Sequence, residues 1–262
     1  MSILDFSALE LEKFLLILLR VGGIMIISPV FGHRNIPTLA KIGLMGMLAL
    51  ILVPIVPSGG LDAQGNLGSL FTMAATEIIA GLVVGFAAVL LFTGVQLSGQ
   101  IIGFQIGFSM VEAYDPSSAQ GMSIIGQFQY ILALLIFLAV DGHHLLIAAI
   151  VQSFNIVPIG HIVFTGDTAQ ILTRMAVNVF EIAVKLSAPI MVTLFLTDVA
   201  LGIIARTVPQ MNVFIVSFPL KIGAGLLILV ASLPFFNYLL TKLFQNMDRD
   251  LIRLITSMKG AA

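Results

Sequence analysis

The stretch "LFTMAATEIIAGLVVGFAAVLLFTGVQLSGQIIGFQIGFSMV", Leu70–Val111, is 42 residues long and carries a single charge, Glu77. About 20 apolar residues suffice to cross a bilayer as a helix, so this run is twice a span. It is expected to be two helices, or one helix kinked near Gly94–Gly99. In lipid the backbone must satisfy its own hydrogen bonds, which leaves helices or a closed barrel. No barrel-type alternation of apolar and polar residues is visible, so the fold class is an all-α membrane protein.

Composition agrees. Of 262 residues, 59% are hydrophobic and 10% charged, against roughly 25% charged in soluble proteins. Such a chain cannot cover a water-facing surface. A net charge of −1 argues against a nucleic-acid partner, which needs a basic excess. The absence of cysteine excludes disulfides and thiolate metal sites. The opening "MSILDFSALELEK" carries Asp5, Glu10 and Glu12 where a secretory signal needs basic residues, so the first apolar segment is expected to stay in the mature protein.

Five further apolar stretches flank the long one: Phe14–Phe31, which carries Arg20; Ile42–Pro57, short for a span; Met122–Phe154; Met175–Ala205, interrupted at Pro189; and Val213–Leu243. Basic residues favour the cytoplasmic side. Arg34 and Lys41 in the first link, Asp62 alone in the second and Arg206 in the fifth agree on an outside N-terminus with links one and five inside. The tail, with Lys242, Arg249, Arg253 and Lys259, falls on the wrong side of that scheme.

Small residues four apart share a helix face and let backbones touch. Gly81 and Gly85 form one such pair; Gly99, Gly103 and Gly107 form a longer series. They mark helix packing within or between chains, or a smooth wall past which something slides. Phe104, Phe108 and Met110 lie among them. The series runs into "EAYDPSSAQG", a polar, proline-containing loop in the middle of an oily chain. Backbone of that kind is tolerated at membrane depth only where it is buried in protein or lines a wet cavity.

Charges within apolar stretches are functional candidates. Glu181 and Lys185 stand i, i+4 with the acid first, the favourable helical order, and read as a neutralised structural pair rather than a proton relay. Glu77 and Asp198 have no local partner; each fits a subunit contact or a helix end at the headgroups. "DGHH" offers Asp141, His143 and His144. Adjacent histidines diverge by about 100° around a helix and no fourth ligand is near, so a helix end with interfacial histidines is expected and no metal. No nucleophile elbow, phosphate-binding loop or HExxH motif occurs. The chain is not expected to be an enzyme or to hold a cofactor.

The stretch "LTDVALGIIARTVPQMNVFIVSFPLKIGAG", Leu196–Gly225, closely resembles the corresponding part of the FliR family of flagellar export-gate proteins and their type III secretion relatives. The pattern is Asp198, Gly202, Arg206, Pro209–Gln210, Asn212–Val213–Phe214, Phe218–Pro219–Leu220 and Lys221. Gly103, Gln105, Gly107 and Asp115–Pro116 extend it, as does Asp-Gly-His at 141–143, so the resemblance covers nearly the whole chain. It implies long apolar helical hairpins that largely leave the bilayer plane, in an assembly with FliP-like and FliQ-like subunits. It divides the chain into a FliP-like portion, 1–164, and a FliQ-like hairpin, 168–245; the polar tail, 246–262, ending in "SMKGAA", departs from the family. It implies that the loop 107–121 plugs a protein-conducting channel, with Phe108, Met110, Val111, Glu112, Tyr114, Asp115 and Pro116 as the plug. Arg206, Pro209, Gln210, Asn212, Phe214, Pro219 and Lys221 would form a link contacting a FlhB-like subunit at the entrance. Unfolded export substrates and membrane lipid complete the implied partners. The implied place is the export apparatus of the flagellar basal body in the inner membrane, partly projecting to the periplasmic side. A small-molecule or ion transporter is the alternative; it would show inverted repeats, and only Glu181–Lys185 fits it.

Overall fold

A computed structural model describes residues 8–33, 35–57, 67–107, 123–210 and 212–259; of residues 8, 67 and 214 only the backbone is described. Among the described residues seven α-helices follow in order: α1 Ala8–Ile27, α2 Thr38–Leu52, α3 Leu67–Ile106, α4 Ile124–Ala139, α5 Gly142–Ile156, α6 Gly166–Thr207 and α7 Val213–Ser257. The protein is all-α, and α3, α6 and α7 are each long and apolar enough to cross a membrane. The only pairing outside helices among the described residues is an isolated bridge between Ile162 and Lys259.

Three expectations are corrected. Of the run Leu70–Val111, residues 70–106 are not two helices: they lie in α3, a single helix of 40 residues, about 60 Å along its contour at the α-helical rise. Glycine lowers helix propensity but removes no hydrogen bond, and here Gly81, Gly85, Gly94, Gly99 and Gly103 each lie against a neighbouring element. Pro189 does not interrupt α6, which runs through it, as α7 runs through Pro219 and Pro234. In apolar surroundings neighbouring groups offset the one bond a proline deletes. The break falls instead inside Met122–Phe154, where Asp141 adopts a left-handed backbone, φ 57° and ψ 27°, between α4 and α5.

The helices contribute to two compact units, neither a continuous stretch of chain. One comprises Met1–Leu90, Asp141–Met175 and Phe244–Ala262; the other comprises Leu91–Val140 and Ala176–Leu243.

In the first unit, α1 and α3 meet backbone to backbone. A Cβ added at Gly81 would lie 2.4 Å from the Arg20 carbonyl oxygen, and one at Gly85 would lie 2.8 Å from that of Ile24. Gly23 answers from α1, where a Cβ would lie 2.9 Å from the Ile78 carbonyl. No side chain can stand at these crossings. The end of α7 closes this unit. Met247, Leu251, Leu254 and Met258 recur at helical spacing and are buried, so the segment expected to be a polar tail from 246 continues α7 and packs. Asp248, Arg249, Asp250 and Arg253 dominate its average polarity and hide the apolar stripe between them. Thr165 and Thr168 donate to the Ser257 carbonyl, each at 3.1 Å, and the Val163 N–H bonds the Met258 carbonyl at 3.0 Å.

In the second unit, Ile102, Ile106, Ile125, Ile190, Leu194 and Leu229 form the core, and Phe92 meets Phe137 and Tyr130 edge to face. Here too α3 presents glycine to its neighbours. A Cβ at Gly94 would lie 2.9 Å from Ile182 of α6, and one at Gly99 only 2.3 Å from the Cα of Gly126 in α4.

Candidate functional site

Residues 108–122 fall outside the described residues. With them go the expected plug residues Phe108, Met110, Val111, Glu112, Tyr114, Asp115 and Pro116. Both ends of the segment are described, and they are stitched together. At one end α3 stops at Gly107, whose φ of +100° is a conformation that costs glycine nothing and other residues a great deal. A Cβ there would press on the Phe218 ring at 3.2 Å. At the other end Ser123 caps α4: its Oγ accepts the Gly126 N–H at 3.0 Å and donates to the Gly99 carbonyl at 3.1 Å. Ser123 fits because Gly103 has no side chain; a Cβ at Gly103 would lie 2.9 Å from that Oγ. Gly99, Gly103 and Gly107 thus fix where the chain leaves α3 and where it re-enters α4.

The link expected at 206–221 is shorter in the fold. Arg206 lies in the last turn of α6, and Pro209, Gln210 and Asn212 lie in the connection. Phe214, Pro219 and Lys221 belong to the first turns of α7. Lys221 pairs with Asp198 across the α6–α7 hairpin, which gives Asp198 the partner its own helix lacks. Glu181 and Lys185 pair along α6 as their spacing implies, and both remain more than half exposed.

Glu77 is the residue the sequence leaves most open, and the fold gives it the most buried ion pair. Arg20 and Glu77 are 2% and 0% exposed. The guanidinium grips the carboxylate with two donors, Nε to Oε2 and NH2 to Oε1, the latter at 2.9 Å. Its remaining NH1 donates to the Ser153 carbonyl at 3.0 Å and the Val157 carbonyl at 2.8 Å. Those carbonyls end α5, where a cation is favoured by both geometry and dipole. Glu77 Oε1 also accepts the Gly160 N–H at 3.1 Å, and the guanidinium lies 4.3 Å from the Phe154 ring centre. One charge pair therefore ties α1 and α3 to the end of α5 and the turn beyond it. A signal for this existed: two opposite charges, each alone in an apolar stretch, are costly unless they meet.

The DGHH element sits at the start of α5. The chain carries the Asp141 carboxylate and the two imidazoles so that one ligand atom from each lies within 4.8 Å of the others. The rings of His143 and His144 are 4.1 Å apart between centres. Neighbouring positions on a helix diverge, yet the two rings lie face by face, tilted by 37°.

A family model described as "Bacterial export proteins, family 1" matches residues 11–247. The chain belongs to that family. Its relatives include the flagellar biosynthetic protein FliR of Bacillus subtilis (strain 168), 37% identical over 255 residues, covering 95% of this chain and 96% of the relative. FliR of Escherichia coli (strain K12) is 30% identical over 90% of both chains. FliR of Caulobacter vibrioides is 30% identical over 87% of this chain and 90% of its own. Membership makes this bacterial export protein a component of the flagellar export apparatus, and its long apolar helices agree with a place in a membrane. The matched range includes the Arg20–Glu77 network, the glycine spine of α3 and the α6–α7 hairpin.

Proposed function

We propose that this export protein is a non-catalytic structural subunit of the flagellar export gate, lining and plugging a protein-conducting channel across the inner membrane. Its partners would be FliP-like and FliQ-like subunits, with a FlhB-like subunit at the entrance and unfolded export substrates in the bore. The observation that carries the reading is the length of α3 combined with its lack of charge. A helix of about 60 Å exceeds the ~30 Å hydrocarbon core even when tilted. Its single charge, Glu77, is buried, so whatever part lies beyond the lipid needs protein around it. The α6–α7 hairpin needs cover as well: Phe180, Phe195, Ile203, Ile215, Leu227 and Val230 stand exposed along it. The exposed Glu181–Lys185 pair fits a protein neighbour or water better than lipid. A FliP-like portion before residue 164 and a FliQ-like hairpin after 168 belong to the same reading.

Within it, the segment between Gly107 and Ser123 is the plug. Phe108 and Met110 supply apolar bulk, Pro116 turns the chain, and Glu112 and Asp115 bond the wall or set the charge of the bore. Holding the segment shut needs only a few kcal/mol of closed-state preference, which lets it yield to an arriving polypeptide. Deleting Met110–Ser117 and expressing the chain with its partner subunits tests this. Dye entry into cells and slowed growth, with an unchanged yield of complex, are the expected result. A complex of normal yield that does not leak would place the seal in another chain.

A further inference from the structure

We propose that Asp141, His143 and His144 form a binding site for a divalent first-row transition ion of the zinc type. Three departures from ordinary helix chemistry converge on these residues. Asp141 is the only non-glycine residue with positive φ among the described residues. It occupies the N-cap position of α5, where an aspartate ordinarily accepts an N–H of the first turn; its side chain makes no such bond. The carboxylate turns instead to His144, with Oδ1 3.3 Å from Nδ1. The third departure is His143, whose Nδ1 is shut off from solvent and has no hydrogen-bond partner among the described residues. An enclosed ring nitrogen without a donor or acceptor is costly, and a metal ion satisfies it.

The geometry suits one ion. Two donors about 2.05 Å from a tetrahedral zinc stand about 3.3 Å apart, which is the separation Asp141 Oδ1 and His144 Nδ1 already have. All three ligand atoms lie within 4.8 Å of one another, a spread that rotation of the imidazoles closes. Two imidazoles and a carboxylate are borderline ligands that select zinc, cobalt, nickel or iron over calcium or magnesium. Water completes the shell, since Asp141 and His144 are 73% and 68% exposed. The positive end of α5 opposes a cation, and the carboxylate offsets it. Bound metal would lock the left-handed turn that separates α4 from α5.

The test uses the full chain in mild detergent, purified without a polyhistidine tag, stripped of metal and titrated with Zn2+, then with Co2+ as a spectroscopic probe. One Zn2+ per chain and a ligand-field spectrum containing nitrogen donors are expected. His143→Ala/His144→Ala should abolish both. His33→Ala/His161→Ala, which removes the other two histidines of the chain, should change neither. Asp141→Asn keeps a residue that tolerates the left-handed conformation while removing the charge, and should weaken Co2+ binding by at least ~10-fold with the metal-free thermal midpoint unmoved. That variant decides the matter if the histidine pair is needed for folding. Metal uptake that survives His143→Ala/His144→Ala, or a Co2+ spectrum and affinity untouched by Asp141→Asn, would overturn the proposal.

Discussion

Glu77→Gln alters one atom and one charge, and the network around it sets the cost. The glutamine keeps one oxygen for Arg20 or Gly160 but turns an NH2 group on the guanidinium, where a second carboxylate oxygen had accepted. Arg20, 2% exposed, then carries a charge opposed only by two carbonyls. Removing one partner of a buried pair costs about 3–5 kcal/mol. Replacing both partners by methionine removes the unpaired charge, and apolar replacement of a buried pair is often neutral or better by about 1–4 kcal/mol. Here it cannot fully recover, because the backbone depends on the pair. The Ser153 carbonyl keeps its bond from Val157 N–H at 3.0 Å, but the Val157 carbonyl and the Gly160 N–H lose the partners described above. At about 1–3 kcal/mol for each orphan, Arg20→Met/Glu77→Met should remain roughly 2 kcal/mol below the parent. Equilibrium unfolding of the purified chain in mixed micelles, followed by circular dichroism, gives both numbers. A loss under about 1 kcal/mol for Glu77→Gln would refute the burial argument. A double variant as stable as the parent would show that the pair serves only itself and anchors no backbone.

Two other outcomes bear on the glycines and on the connection between α6 and α7. Gly99→Ala forces a methyl to 2.3 Å from the Gly126 Cα and should destabilise the chain by about 1–3 kcal/mol. Gly43→Ala, with nothing within 4 Å, should gain up to about 1 kcal/mol from helix propensity; equal shifts in the same unfolding assay would remove the close-packing account. A photocrosslinker at Asn212 should capture the FlhB-like subunit in membranes, whereas capture of periplasmic proteins alone would reverse the assigned side.

Much was legible in the sequence because it depends on sums and on neighbours along one helix. Charge content and run length are sums, so the all-α membrane class needed no coordinates. The pairing of Glu181 with Lys185 is one turn of a helix. The dense pattern from Asp198 to Lys221 pointed to the export family, to which the chain belongs. What the sequence could not decide depends on which distant segments meet. Arg20 and Glu77 are 57 positions apart, and no periodicity links them; only the fold brings them together at the end of α5. The same holds for Lys221 beside Asp198 and for Ser123 in the space left by Gly103. Glycine and proline looked like breaks in α3 and α6 because a lone helix is weakened by them, yet packed neighbours keep both helices whole. At Asp141 the reverse applies: the apolar run continues, but one residue takes a left-handed turn, and an apolar tally cannot register a single backbone angle.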